Sequence, residues 1–370
     1  MASTVYFAEA WGGEGGTEPI PGKAKALWKK AGFDEIIAKK DLVAVKLHFG
    51  EPGNVHTVHP FYVREIVELI KAAGGMPFVT DTNVLYRGKR NNSVDHLLTA
   101  YHNGFNYATL GAPVIISDGL KGKSFFELPT GGRRCPKAKI AADIVEADAL
   151  VVLTHVTGHC LFGLGGAIKN LAMGTGSPGG KQMMHSDVKP TAEPEKCVGC
   201  RLCAKWCPVD AISFPDGKAV VDHDKCIGCG ECTALCPQTA FKIQWGETVG
   251  LQERSVEFAA ALTRQKAGKI AYLSYALRIT ADCDCGTRLG HPIVPDIGIL
   301  ASRDVVAIDQ ATVDLVKAQP AIAAGWPNGA APGKGKDKFG AANPSTDYTV
   351  QLKYGEQMKL GTRKYELKRI

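Results

Sequence analysis

Short aliphatic and β-branched runs recur along the chain, and between them lie stretches whose apolar positions repeat at helical spacing. LVAVKLHF (42–49), PFVTD (77–81), PVIISD (113–118), ALVVLTHV (149–156), KIAYLSYALRI (269–279) and DVVAID (304–309) read as strands. VREIVELIKAAG (63–74), VDHLLTAYHNG (94–104), CPKAKIAADIVEA (135–147) and SVEFAAALTRQKAG (255–268) read as helices, with Gly74–Gly75 and Asn103–Gly104 as C-caps. The strand runs are apolar almost throughout rather than alternating. That pattern predicts an α/β fold, a mostly parallel sheet covered by helices on both faces. Residues 324–345, rich in Gly, Pro and Lys, read as a loop; 349–361 read as a helix and 364–370 as a last strand.

Between about residues 186 and 247 the alternation breaks. CVGCRLCAKWCP (197–208) and CIGCGECTALCP (226–237) repeat at an offset of 29 residues, each with the spacing C-x2-C-x2-C-x3-C-P. Thiolates are soft ligands suited to iron–sulfur clusters. In this spacing three cysteines wrap one cube and the fourth reaches across to the other. Cys197, Cys200, Cys203 and Cys236 are therefore expected to hold one [4Fe–4S] cluster, and Cys226, Cys229, Cys232 and Cys207 the second. Pro208 and Pro237 turn the chain away, Gly199, Gly228 and Gly230 let the backbone approach the sulfides, and Phe214 and Phe241 are expected beside the clusters. Zinc knuckles are the competing reading of C-x2-C pairs. Two quartets of identical spacing, each closed by proline, argue against it. Residues 190–245 are thus read as a ferredoxin-like α+β insertion into a discontinuous α/β domain formed by 1–189 and 246–370. The segment carries six Lys/Arg and seven Asp/Glu, so it lacks the acidic face of a free electron shuttle, and an internal relay is at least as good a reading.

Composition changes the picture only in part. Twelve cysteines in a chain without a basic, apolar N-terminal signal point to metal or redox chemistry rather than disulfides, and to a cytoplasmic setting. No run approaches the roughly 18–20 apolar residues a membrane span needs, so no membrane association is expected. The net charge of +7 comes without a basic–aromatic groove pattern, so no nucleic-acid partner is expected either.

In open α/β sheets, ligands bind outside the carboxyl ends of the strands. There the unusual residues gather: Lys46 and His48, then Glu51 and Asn54; Asp81, Asn83 and Arg87; Asp118; His155, His159 and Cys160; Lys169 and Asn170 after GLGG; and Cys283 and Cys285. Lys46, His48, Asp81, His155, His159, Lys169, Cys283 and Cys285 are the candidate catalytic residues. If 283–285 continue a strand, both thiols face one side and Asp282 and Asp284 the other. Such a pair could chelate an extra metal with His155, His159 or His291. It could act as a redox dithiol, or join Cys135 and Cys160 in a third cluster. It could also be inert, as buried thiols often are. An organic cofactor is left open; GLGG does not make a dinucleotide fingerprint.

KLHFGEPGN (46–54), TDTNVLYRGKR (80–90), HVTGHCLFGLGGAIKNLAMG (155–174), the two cysteine runs, ITADCDCG (279–286) and LGTRKYELKRI (360–370) together resemble the domain-of-unknown-function family 362, in the version carrying an inserted two-cluster ferredoxin. The resemblance implies an α/β domain with 2[4Fe–4S] redox chemistry and no settled substrate. The sequence reading is an iron–sulfur oxidoreductase that passes electrons to a small-molecule substrate, second cofactor or metal at the sheet's carboxyl edge, with a redox partner protein as electron donor or acceptor. The alternative is an electron-transfer or reductive-activation protein that docks a partner metalloenzyme. A cluster- or metal-carrier role is third.

Overall fold

The computed structural model describes all residues except 1, 12–17, 86–87, 186–188, 208, 227–231, 233–235, 237, 239, 244–247, 286–289 and 327–330. Of the residues singled out above, Arg87, Pro208, Gly228, Cys229, Gly230 and Pro237 lie outside the described residues.

Eight strands form one sheet: β1 (Ser3–Glu9), β2 (Leu42–Lys46), β3 (Met76–Asp81), β4 (Val114–Ile116), β5 (Ala149–His155), β6 (Ile270–Ala276), β7 (Gly298–Ser302) and β8 (Tyr365–Arg369). Their spatial order is β8-β1-β7-β6-β5-β2-β3-β4. Only β7 runs antiparallel, pairing with β1 on one side and β6 on the other; the remaining neighbours are parallel. The sheet is therefore mostly parallel and the fold is α/β.

Successive strand residues point to opposite faces, and both faces are apolar. Val43, Val45, Val79, Val151, Leu153 and Leu273 pack on one side. Helices α1 (Ile20–Lys30) and α2 (Pro60–Ala72) cover it with Leu27, Trp28, Ile66 and Ile70. Ala44, Phe78, Leu150, Val152 and Leu300 pack on the other. There the cover is α4 (Ala167–Ala172), α6 (Thr248–Gln265) and α7 (Val305–Ala318). Helix α3 (Ser93–His102) follows β3, and α5 (Pro178–Met184) leads toward the cysteine-rich segment. This two-sided burial is why the central strands are continuous hydrophobic runs.

Three local assignments are corrected. DVVAID (304–309) opens α7 rather than a strand, because the Asp304 carboxylate caps it, accepting from Val306 N and Ala307 N at 2.9 Å each. A run buried on all sides carries no period that separates helix from strand. Residues 137–141 form a strand paired with 125–129, and only Ala142–Glu146 of the expected helix is helical. The strand expected over 269–279 ends at Ala276, so Cys283 and Cys285 sit in a turn beyond it. Strands β1 and β7 were not expected from the sequence.

The cysteine-rich segment builds two small ribbons. Pro190–Ala192 pairs with Phe241–Ile243, and Ile212–Ser213 with Val220–Val221. The ladders echo the 29-residue repeat reciprocally. Glu193 N donates to Ala240 O (2.7 Å) while Asp222 N donates to Ala211 O (2.8 Å). Each half then closes a turn onto its first cysteine, Cys197 N to Glu193 O and Cys226 N to Asp222 O.

One buried carboxyl ties the α4 helix to α7. Asp309 accepts from Ala167 N at 2.7 Å and Ile168 N at 2.9 Å. Gly166 precedes them because a Cβ there would lie 2.5 Å from the Asp309 carboxylate. Burial pushes Asp309 up to about 7, against the pull of those two N–H groups, from an ordinary 3.8. Between about pH 4 and 7 the folded state thus holds more protons than the unfolded one, so stability should fall as pH rises through that window. Urea titrations across it are expected to show that decline in the natural chain and a flatter profile in Asp309→Asn. An unchanged slope in the variant would assign the pH dependence elsewhere.

Candidate active site

Parallel strands end on the same edge, and register decides which side chains meet there. Lys46, the last residue of β2, sits opposite Thr80 of β3 and Val152 of β5; His155, the last of β5, sits opposite Tyr275 of β6. Beyond these ends opens a cavity of about 410 Å³. All eight candidate catalytic residues line it: Lys46, His48, Asp81, His155, His159, Lys169, Cys283 and Cys285. Its other walls are largely apolar, including Val58, Val84, Leu153, Phe162 and Met173.

The floor is a buried charge cluster. Lys46 Nζ lies 3.0 Å from Asp81 Oδ1, both side chains being essentially inaccessible. The same ammonium donates to Asn170 Oδ1 and Leu47 O, each at 2.9 Å. Asn170 in turn donates to Leu153 O and Thr154 Oγ1. Burial alone would raise the Asp81 carboxyl, but Lys46, His48, His96 and Arg90 together hold it below the usual carboxylate range. Arg90 lies 3.8 Å from Asp81 Oδ2 and pairs with Glu51 at 2.5 Å. His96 Nε2 stands 3.7 Å from the same Asp81 oxygen, and burial lowers that ring to about 3. Lys181 is buried too, donating to Thr82 Oγ1 (2.6 Å), Asn83 O (2.8 Å) and Gly176 O (2.6 Å); burial brings it down to about 8.

The upper wall is the turn carrying Cys283–Cys285. Asp284 Oδ2 meets His155 Nδ1 at 2.8 Å, while His155 Nε2 meets Leu277 O at 2.9 Å. Burial raises the Asp284 carboxyl, but the pairing with His155 prevails and lowers it to about 2. Asp284 therefore faces the cavity with the two cysteines, not the opposite side as a continued strand would require. The turn is fixed from two directions. Asn54 Nδ2 donates to Asp284 O at 3.1 Å, and Gly158 N to Thr280 O at 2.8 Å. Gly158 is required for that approach, since a Cβ there would stand 2.1 Å from Ala281 O.

The sulfurs of Cys283 and Cys285 are joined, 2.10 Å apart. Lys169 Nζ lies 3.8 Å from the Cys283 sulfur, and His159 Nε2 lies 3.8 Å from the Cys285 sulfur. Among the described residues Lys169 makes no ion pair, and burial lowers it to about 8. His159, Cys283 and Cys285 place ligand atoms within 4.8 Å of one another, a group that could hold a metal ion.

Not every cysteine or histidine converges. Cys160 lines the cavity, but Cys135 is buried elsewhere, its N–H donating to Glu257 Oε2 at 2.7 Å and its thiol to Lys137 O. The four non-repeat cysteines are thus not one ligand set. His291 is exposed and not in the cavity wall. Asp118 lies behind the wall, bonded to Asn83 N and Nδ2, and burial raises it to about 6. Sequence reasoning missed Asp284, Arg90, His96, Lys181 and His185. Lys181 and His185 belong to the α5 region, which the sequence reading left unassigned, and Arg90 and His96 are brought in by the loop and helix after β3.

A second, small pocket is lined by Cys197, Cys200, Cys203 and Cys236 together with Phe214 and Phe241. Backbone N–H groups point at three sulfurs of the repeat, Ala219 to Cys197 (3.3 Å), Ala211 to Cys207 (3.2 Å) and Ala240 to Cys236 (3.4 Å). Pro190, the first residue of the paired ribbon, also forms part of the 410 Å³ cavity wall.

The model of the family described as a domain of unknown function (DUF362) matches residues 43–314, and the chain belongs to that family. No curated protein matches the chain. Among solved structures, it is similar to the lactate racemase apoprotein from Thermoanaerobacterium thermosaccharolyticum, at 13% identity and a TM-score of 0.38. That match covers 86% of this chain and 58% of the other, so the chain spans little more than half the length of that protein. Among the described residues no helix is long and apolar enough to cross a membrane.

The buried floor makes a stability contrast measurable. Removing one partner from a buried ion pair typically costs about 3–5 kcal/mol, because the other charge is left uncompensated. Asp81→Ala, which strands Lys46, is expected to fall in that range in urea unfolding. Lys169→Met, which removes a largely buried cation with no carboxylate partner, should change stability by less than about 1 kcal/mol or raise it. Equal losses in the two variants would contradict the assigned pairing.

Proposed function

We propose that this chain is an iron–sulfur oxidoreductase of the DUF362 family, in the version with an inserted two-cluster ferredoxin, acting on a small molecule or second cofactor held in the 410 Å³ cavity. The observation that carries the reading is Pro190. It belongs both to the ribbon of the cysteine repeat and to the wall of the cavity, so the electron-handling segment and the substrate space share a surface.

Cys197, Cys200, Cys203 and Cys236 would hold one [4Fe–4S] cluster, and Cys226, Cys229, Cys232 and Cys207 the other. The chain fits them in two respects. The first quartet, including the crossing fourth cysteine, lines a single pocket. Three sulfurs receive backbone N–H groups, the kind of hydrogen bond to sulfur that tunes such clusters. Such clusters supply one-electron transfer at potentials tuned by their surroundings. A redox partner protein would exchange electrons with the segment. Within the cavity, Lys46 and Asp81 fix the floor, apolar walls exclude water, and Lys169 presents a positive charge to an anionic group or to a negative charge that develops on reduction. Residues 190–245 form an insertion in this reading, carried by an α/β domain of 1–189 and 246–370. The concave cavity with its convergent ionisable groups favours this reading over a purely docking role.

Anaerobically purified protein is expected to contain about eight iron atoms and eight acid-labile sulfides per chain. Stoichiometric zinc in their place would overturn the proposal. Cys236→Ser should lower iron by about four atoms per chain and disturb the cluster built on Cys197–Cys203, because the fourth ligand crosses over.

A chain in which 190–245 is replaced by a short linker should remain soluble and melt cooperatively, since the paired strands Pro190–Ala192 and Phe241–Ile243 bring its ends together. Loss of cooperative unfolding would contradict the insertion.

A further inference from the structure

Two thiols, a lysine and a histidine meet on the cavity wall, and the protonation of the histidine decides what they can do. His159 Nδ1 accepts two backbone N–H bonds, from Leu161 at 3.0 Å and Phe162 at 3.2 Å. A neutral imidazole with its Nδ1 lone pair so engaged carries its proton on Nε2. That is the nitrogen facing the Cys285 sulfur. A metal at Nε2 would need the proton moved to Nδ1, where it would collide with both N–H groups. As placed, the ring is a donor to sulfur rather than a metal ligand. Lys169 is a second donor, directed at the other sulfur. Each sulfur thus has its own N–H donor, an arrangement that stabilises thiolates.

We infer that Cys283 and Cys285 are a reversible dithiol–disulfide couple that serves the cavity as a two-electron store, with Lys169 and His159 as the groups that stabilise its thiolates. On reduction the S–S bond breaks, two electrons enter, one on each sulfur, and two protons are taken up to give two thiols. The reverse delivers two electrons and two protons to an acceptor in the cavity. The inference rests on the proposed function for the source of those electrons, single electrons from a low-potential iron–sulfur donor. It adds the substrate class, an acceptor reduced in a two-electron, two-proton step. The apolar walls admit a largely apolar body, and Lys169 suits an anionic substituent.

Peptide mass mapping of the full natural chain tests the couple without relying on turnover. The protein is alkylated with iodoacetamide before and after treatment with dithiothreitol. Before reduction, the peptide containing Cys283 and Cys285 should be unlabelled and two hydrogens lighter than the dithiol. After reduction it should carry two labels, while the exposed Cys160 is labelled in both samples. In the reduced protein at pH 7, Lys169→Met should slow labelling of the pair by about tenfold, and Lys169→Arg should restore most of it. Labelling of both thiols before reduction, at the rate of Cys160, would overturn the inference. So would a stoichiometric non-iron metal that protects both thiols before and after dithiothreitol. Low iron and sulfide with an intact disulfide response would instead count against the clusters alone.

Discussion

The cavity depends on one buried contact, the 3.0 Å ion pair between Lys46 and Asp81 on adjacent parallel strands. Neither charge can be kept out of water alone without a cost of several kcal/mol. The pair therefore holds β2 and β3 in register at their carboxyl ends. It also gathers neighbours, because each ion has more hydrogen-bonding capacity than the other can fill. Asn170 satisfies Lys46 and hooks α4 to β5. Arg90 approaches Asp81 and is itself held by Glu51. The floor is polar where the sheet is apolar: Lys46 finds Asp81, Asn170 and Leu47 O, whereas among the described residues Asp81 Oδ2 and both His96 ring nitrogens have no hydrogen-bond partner.

How much of this was legible in the sequence follows from the physics of each part. The parallel core strands could be read because burial on both faces leaves uninterrupted aliphatic runs. The same property misled at 304–309, where an equally apolar run is a capped helix and only the Asp304 side chain distinguishes the two. Strand β1, the edge strand β8 and the antiparallel β7 are set by pairing partners far away in sequence, and of the three only β8 is legible in it. The eight candidate residues could be placed on one edge because strand polarity fixes where carboxyl ends lie. Asp284 is not legible as a cavity residue, because a strand continued to 285 would turn it away from the thiols and the strand ends at Ala276. Lys181 and His185 are not legible because α5 is short and shows no apolar period, and a lysine on such a helix carries no sign of being buried.

The cysteine repeat shows how an internal duplication can become a closed unit. Its two halves exchange equivalent hydrogen bonds, Glu193 N to Ala240 O and Asp222 N to Ala211 O, so each half completes the other's ribbon. The crossing of Cys236 into the pocket of Cys197, Cys200 and Cys203 expresses the same exchange at the level of side chains. Neither half could form its surroundings alone.

Helix α5 has a mechanical role that its short length conceals. Its Lys181 donates to Thr82 Oγ1 in the cavity wall and to Asn83 O and Gly176 O behind it, and His185, at the end of the same helix, lines the cavity. The helix is therefore held to the cavity at two points, the Lys181 anchor and His185 in the wall. Lys181 and His185 stand one helical turn apart, so the charge balance around the buried ammonium bears directly on where the His185 ring sits in the cavity wall.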